Sequence, residues 1–360
     1  MIGVRALNWA SVIVIGALAG SAAADAAKLL VVAADGTGFS TVQAAIDSIP
    51  DGSQQPVTIY IKPGTYTGQI KISANKPPIR MYGDDAQSTI LIFNLEAKLP
   101  GPDGKPLGTT KTASTYVQAN DFEADDLTFS NSTPRDVAQA LALAAQGDRQ
   151  IYRRCRFVGW QDTLYTNGGP PPASAPSTRS GGNPLLWQKP VTPANRLYFE
   201  DCHIEGGVDF IFGNSTAVFR NCEILSKRRG YLTAASTPQG VAYGYVFMNC
   251  KLTAREGVKD GSVYLGRPWR EYANVIYLNC EMGPQINAAG WSEWKSAPER
   301  IKTAYNAEYG STGPGATIEE RAPWSHQLTA DQAKAITVQS VLGGEDHWDP
   351  KPSAQPASRP

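Results

Sequence analysis

Two aspartates, Asp162 and Asp209, each stand seven residues beyond a cysteine, Cys155 and Cys202, and those cysteines belong to a pattern that recurs along the chain. If the pattern is structural, the carboxylates occupy equivalent places on successive windings, where adjacent parallel strands lie about 4.8 Å apart. Carboxylates that close do not both ionise comfortably. One pKa rises and the other group stays charged, which supplies an acid and a nucleophile or base at a single pH. The plainer alternative is that each Asp only satisfies a turn. Shared register and apolar flanks argue against it: Trp160 and Leu164 surround one, Phe210 to Phe212 the other, and a carboxylate among apolar groups is costly to keep. The pair alone does not choose a reaction, since a retaining glycosidase also places two carboxyls about 5 Å apart. Gln161 beside Asp162, and Gln139 upstream, add amide donors of the kind that stabilise an oxyanion in acyl transfer. Arg267, in the run Leu265 to Trp269, can hold a carboxylate ionised through a bidentate pair. Taken singly, the glutamines also suit ladder or surface positions and Arg267 an exposed loop.

Other chemistries fit less well. There is no Gly-x-Ser-x-Gly elbow, and of the three histidines His203 follows a repeat cysteine while His326 and His347 lie near the C-terminus, which disfavours a serine triad. Neither His-Glu-x-x-His nor a paired Cys-x-x-Cys occurs, so no catalytic metal and no cofactor are expected. Lysine plus arginine (33) equal aspartate plus glutamate (33), giving no overall basic field to attract nucleic acid.

The elements that must position these groups are short. Cys155, Cys202, Cys222, Cys250 and Cys280 each follow an aromatic residue by three positions and precede an apolar one by two. Phe122 to Leu127 reads as a sixth copy with Asp125 in the cysteine slot, and spacings from there of 30, 47, 20, 28 and 30 residues suit a solenoid whose units bury a shared core. Asp201, Asn221, Asn249 and Asn279 directly precede cysteines and mark a corner, because such residues tolerate turn conformations. A bend there also reconciles the aromatic and the cysteine, whose opposite parity would send them to opposite faces of a straight strand. The recurrence makes the cysteines stacked core residues. Cys202 and Cys222, 20 residues apart, are the candidate pair for a disulfide.

Leu29 to Ala33 and Val57 to Ile61 read as strands, and a helix opened by Ser40 with Gln43 as a capping box lies between them, burying Val42, Ala45, Ile46 and Ile49 before Pro50. It would cap the solenoid's open edge. Residues 1–24, with Arg5, an apolar run from Trp9 to Ala19 and Ala22 to Ala24, read as a cleaved export signal. No later stretch approaches the length of a membrane span. Residues 25–342 then form one domain, with a Pro/Gly/Ser-rich loop at 166–194 rising beside the carboxylates, a second loop at Gly101 to Lys111, a capped helix at Thr329 and Gln332, and a loose tail at 343–360.

In Gln139-Ala140-Leu141-Ala142-Leu143, Gly147-Asp148-Arg149, Gln161-Asp162-Thr163-Leu164, Asp209-Phe210-Ile211-Phe212-Gly213 and Leu265 to Trp269, in that order, the chain resembles the pectin methylesterases from about Leu29 to Trp324. The resemblance implies an all-β, right-handed parallel β-helix and an exported, monomeric esterase acting on methyl-esterified pectin. It further implies that Asp209 is the nucleophile, Asp162 the acid and then base, Gln139 and Gln161 the oxyanion hole, and Arg267 the partner of Asp209. Phe212 and Trp269, with Tyr165, would contact the sugar. The family's Gly-x-Tyr-x-Glu element reads Gly64-Thr65-Tyr66-Thr67-Gly68 here, without its glutamate, and Trp160 stands where Asn or Tyr is usual. A thioesterase or other esterase on the same site, a backbone-cutting lyase or hydrolase, and a non-catalytic glycan-binding β-helix are the competing readings.

Overall fold

The computed structural model describes residues 28–169, 179–180, 183–187 and 191–351. The segment read as an export signal, residues 170–178, 181–182 and 188–190 of the 166–194 loop, and residues 352–360 lie outside the described residues.

The chain winds as a parallel β-helix with three walls. One wall is an 11-stranded sheet running from Lys28–Val32 to His326–Gln327, every neighbour pair parallel. The other two walls are separate rows in the early windings: Gly64–Thr67, Thr89–Phe93, Thr128–Asn131 and Arg156–Val158 in one, Ile70–Ile72, Thr115–Val117, Leu143–Ala145 and Leu164–Thr166 in the other. They merge at the long strands His203–Gly213 and Glu223–Ala235, which run through both rows. The merger falls where the two aspartates sit.

Strand pairing confirms the cysteine repeat. Tyr152, Phe199, Phe219, Phe247 and Tyr277 are register partners on successive windings. Their rings stack inside the helix with centroids 4.9, 4.7, 4.5 and 4.5 Å apart and planes within 10° of parallel. That spacing is the inter-strand distance itself, and stacked pairs add roughly 0.5–1.5 kcal/mol each beyond burial. Removing Phe219 breaks two stacks and leaves a cavity in a fully buried ladder, so Phe219→Ala is expected to cost about 3–5 kcal/mol in urea-unfolding free energy.

The corner residues have left-handed backbones: Asp201, Asn221, Asn249 and Asn279 all lie at φ 53–55°. This is the conformation that Asn and Asp adopt more readily than other side-chain-bearing residues. The sixth copy requires a shift of two residues. Ala124 pairs with Tyr152, and Arg156 N bonds Leu127 O, so Leu127, not Asp125, occupies the cysteine slot. Asp125 instead accepts from Arg80 Nε at 3.1 Å and Arg154 Nη2 at 3.0 Å. The cysteine pair is not bridged either, for all five thiols are free. Parallel register aims each sulfur at a carbonyl of the preceding winding: Cys202 Sγ donates to Tyr152 O at 3.4 Å, Cys222 to Phe199 O at 3.6 Å and Cys250 to Phe219 O at 3.3 Å.

Both ends are closed. Helix α1 (Val42–Asp47) buries Val42, Ala45 and Ile46, but its cap is Thr41, whose hydroxyl accepts from Ala44 N, one residue later than Ser40. Gln43 is drawn away from the cap, bonding Lys71 N through Oε1 at 2.7 Å and so tying the helix to a strand. At the other end α2 (Ala330–Ala335) carries the expected box of Thr329 and Gln332, and α3 (Val338–Leu342), not read from the sequence, carries another of Thr337 and Ser340. The stretch from Gly343 to Lys351 is not loose: Arg196 binds Asp346 and the Leu342 carbonyl, and Arg153 Nη2 binds Pro350 O at 3.2 Å. Of the 166–194 loop, Arg179–Ser180 and Asn183–Trp187 pair as an antiparallel ribbon.

Candidate active site

Asp162 N donates to Val208 O at 3.1 Å, and Gln161 bridges to Val208. With Leu164 paired to Ile211, this puts Asp162 level with Asp209 on neighbouring windings, as the counting from the cysteines requires. Both lie at positive φ, 64° and 50°. The strand carrying Asp209 changes register between Gly206 and Val208 and again before Ile211, and irregularities of this kind re-aim side chains beside active sites. Both carboxylates are buried, with 8% and 7% of their surface exposed.

Arg267 distinguishes them. Its Nε donates to Asp209 Oδ1 at 3.0 Å and its Nη2 to Asp209 Oδ2 at 2.6 Å, a bidentate pair. The arginine follows the strand Val263–Gly266, whose Gly266 lets the winding close on its neighbour: a Cβ there would lie 2.1 Å from Thr233 Oγ1. The guanidinium lies over two aromatic rings, Tyr231 at 4.0 Å and Trp294 at 4.2 Å. Burial, reinforced by the charge of Asp209, pushes the Asp162 carboxyl well above the usual carboxylate range, against an opposing pull from Arg267. Burial also raises Asp209, but there the hydrogen bonds and charge of Arg267 act directly against it. A proton shared by the pair therefore resides on Asp162, and Asp209 is the anion.

Gln139, Gln161, Asp162, Asp209, Phe212, Arg267 and Trp269 line one open cleft. Gln139 and Gln161 belong to adjoining windings, joined by Ala140 N donating to Gln161 O at 3.1 Å. Along the outer face Tyr116, Ala144, Tyr165, Phe212 and Ala234 stand in register. Tyr165 stacks on Phe212 at 4.7 Å, is 6% exposed and does not line the cleft, so it backs the wall that Phe212 presents. Trp269 meets Phe212 edge-on at 5.7 Å and its carbonyl accepts from Arg300 Nη1 at 2.7 Å.

The cleft also includes Thr109, Thr110, Ala234 and Trp294, which the sequence reading did not single out. Thr109 and Thr110 come from the Gly101 to Lys111 loop. Trp294 is expected to matter through Arg267. Desolvated cation–π contacts of this kind are worth about 1–2 kcal/mol, so Trp294→Leu should lower kcat roughly tenfold, measured on a soluble methyl-ester substrate alongside a circular dichroism check of the fold.

A carboxylate anion, a neutral carboxyl beside it and amide donors across a cleft are the parts of an acyl-transfer site, and the molecule is a carboxylic ester hydrolase built on a parallel β-helix. The family model described as Pectinesterase matches residues 29–169 and 191–345. Pectinesterase 31 of Arabidopsis thaliana is 35% identical over 324 residues, spanning 88% of this chain and 93% of that one. Among solved structures, the pectin methylesterase from carrot superposes with a TM-score of 0.74 at 29% identity, covering 88% of this chain and 93% of its own. A pectin methylesterase in complex with a hexasaccharide gives 0.71 at 29% identity, with 91% and 99% covered. The chain belongs to the pectinesterase family.

Proposed function

We propose that the protein removes methyl groups from the galacturonate esters of pectin, releasing methanol and leaving a more anionic chain. The observation that carries this reading is the register-matched carboxylate pair with only one member, Asp209, gripped by arginine. In the reaction assigned here, an Asp209 oxygen attacks the ester carbonyl carbon and the carbonyl oxygen becomes an oxyanion, facing the amides of Gln139 and Gln161. As that tetrahedral species collapses, the bond to methoxide breaks and Asp162 gives up its proton to form methanol, leaving the sugar acyl group on Asp209. Asp162, now a carboxylate, takes a proton from water. The hydroxide so formed attacks the sugar acyl carbon, and the Asp209 carboxylate departs from the free uronic acid.

Phe212 and Trp269 are assigned to sugar contact, with Tyr165 supporting Phe212. The enzyme is further proposed to act outside the cell, as a monomer; no helix among the described residues is long and apolar enough to cross a membrane. The test is methanol release from highly methylated pectin with viscosity followed in the same sample. Methanol without loss of viscosity is the expected outcome. Loss of viscosity with new chain ends would show a backbone-cutting enzyme instead, and turnover confined to thioesters would replace the substrate assigned here.

A further inference from the structure

Among the described residues the Gln161 side chain has no hydrogen-bond partner, so the place of its amide in the cleft is set by the backbone that carries it. That backbone is a short excursion, residues 159–163, between the strands Arg156–Val158 and Leu164–Thr166. Most of its polar groups are bound to the neighbouring windings. Gly207 N donates to Trp160 O at 2.6 Å, Asp162 N to Val208 O at 3.1 Å, Thr163 Oγ1 to Glu205 O at 3.0 Å and Ala140 N to Gln161 O at 3.1 Å. The turn is also tight, for a Cβ on Gly159 would lie 2.7 Å from Thr163 Oγ1. These bonds leave over the Gly159 carbonyl and the Trp160 ring, and one side chain takes both. Lys227 Nζ donates to Gly159 O at 3.0 Å and stands 4.1 Å from the centre of the Trp160 ring.

Lys227 rises from the next winding, on the strand Glu223–Ala235, and its side chain is only 11% exposed. An ammonium offers three donors, and a further one goes to Glu205 Oε1 at 2.8 Å. Glu205 lies on His203–Gly213, the strand that carries Asp209, and its other oxygen is 2.9 Å from His203 Nε2. Against the cost of burial, the hydrogen bonds of His203 and Lys227 bring the Glu205 carboxyl down to about 2, so the lysine keeps its counter-charge into strong acid. Arg135 also approaches Trp160, but its Cζ is 5.8 Å from the ring and its side chain is 55% exposed, which leaves the buried lysine as the firmer hold. We propose that Lys227 is a positioning residue for ester hydrolysis: it holds Gly159 and Trp160 against the strand bearing Asp209, and so sets where the Gln161 amide stands relative to the nucleophile. Asp162 has its own backbone bond to Val208, so the lysine acts through Gln161. The inference rests on the oxyanion role given to Gln161 above and deepens it.

The experiment is a double-mutant cycle of Lys227→Met and Gln161→Ala, read as kcat and KM for methanol release from highly methylated pectin, with Lys227→Arg as the conservative variant. Gln161→Ala alone is expected to lower kcat on the order of 10²-fold. Lys227→Met alone should lower kcat about tenfold with KM within about twofold of wild type, because a misplaced amide fails the transition state rather than the bound ester. Arginine can bond Gly159 O and Glu205 together and cover the indole, so Lys227→Arg should recover most of the loss. In the Gln161→Ala background Lys227→Met is expected to cost no more than about twofold further. A full tenfold loss there would overturn the proposal, since the lysine would then act without Gln161, and so would a Lys227→Met enzyme with the wild-type kcat. Hydrogen exchange of residues 157–165, followed by mass spectrometry, needs no substrate. Faster exchange is expected in Lys227→Met, and protection equal to wild type would overturn the proposal whatever the ester. Should Lys227→Met fail to fold, Trp160→Leu, which removes the ring beneath the ammonium and keeps the pair with Glu205, is carried through the same cycle and read in the same way. A wild type that releases no methanol would sink the substrate reading instead, and a Gln161→Ala enzyme with full kcat the oxyanion reading, so the failures are distinguishable.

Discussion

Asp209→Asn is expected to reduce methanol release from methylated pectin on the order of 10⁴-fold or more, the scale of loss seen when a covalent nucleophile is removed. Asparagine is the informative replacement because position 209 sits at φ 50°, a conformation Asn tolerates and alanine does not. The amide oxygen still accepts one of the two hydrogen bonds that Arg267 now gives to the carboxylate, so the protein should remain folded and continue to bind pectin. The effect then belongs to chemistry: an amide cannot add to the ester carbon and later leave as a carboxylate. A variant that kept a wild-type kcat, with fold and binding intact, would remove Asp209 from the nucleophile's place and reopen water-mediated hydrolysis by a general base.

The carboxylate pair was legible in the sequence because a parallel β-helix converts equal offsets into neighbouring places. Seven residues beyond Cys155 and beyond Cys202 lead to the same level of adjacent windings, since the connecting segments between the walls are equally long in those two turns. The same rule failed one winding earlier. Phe122 and Leu127 carry the aromatic and apolar spacing of the repeat, but the deciding residue is the left-handed corner, and Asp126 at φ 57° is the counterpart of Asp201 and Asn221. An acidic or amide residue directly before the core slot marks five of these windings, at Asp126, Asp201, Asn221, Asn249 and Asn279, while Arg154 takes the same left-handed corner before Cys155.

What the sequence did not yield depends on contacts between distant segments. Tyr231 and Trp294 both bring ring faces to the Arg267 guanidinium, and no local spacing connects them to it. The stretch Gly343–Lys351 looked like a tail by composition, but two buried arginines, Arg153 and Arg196, fix it to the wall. Whether Cys202 and Cys222 are bridged was likewise beyond local spacing: both thiols are free, and each donates to backbone carbonyls, Tyr152 O and Phe199 O among them. Fold class and the acidic pair were therefore readable from periodicity, whereas the aromatic clamp and the closed C-terminal end required coordinates.

Asp162→Asn separates the acid from the nucleophile, and two measurements move in opposite directions. Catalysis is expected to fall roughly 10²- to 10⁴-fold, the range for loss of a general acid–base group, with kcat carrying the loss because methanol no longer receives a proton on departure. In the wild type the pH profile of kcat/KM should be bell-shaped: activity rises as Asp209 ionises and falls as Asp162 loses its proton at its raised pKa. The variant should lack the alkaline fall. Stability responds with the other sign. Asp162 keeps its proton in the fold at pH values where the unfolded chain, with the ordinary aspartate pKa of 3.8, has released it. The folded state then binds more protons than the unfolded one, so this residue lowers stability progressively as pH rises from 3.8 toward the raised value, and leaves it at the lower level beyond. Asparagine carries no such penalty and suits the φ of 64° at this position. Asp162→Asn should therefore melt at a higher temperature than wild type at neutral pH, with the gap closing in acid. An equal or lower midpoint at neutral pH would mean that Asp162 is not held as a buried neutral acid, and its role in protonating methanol would lose its physical basis.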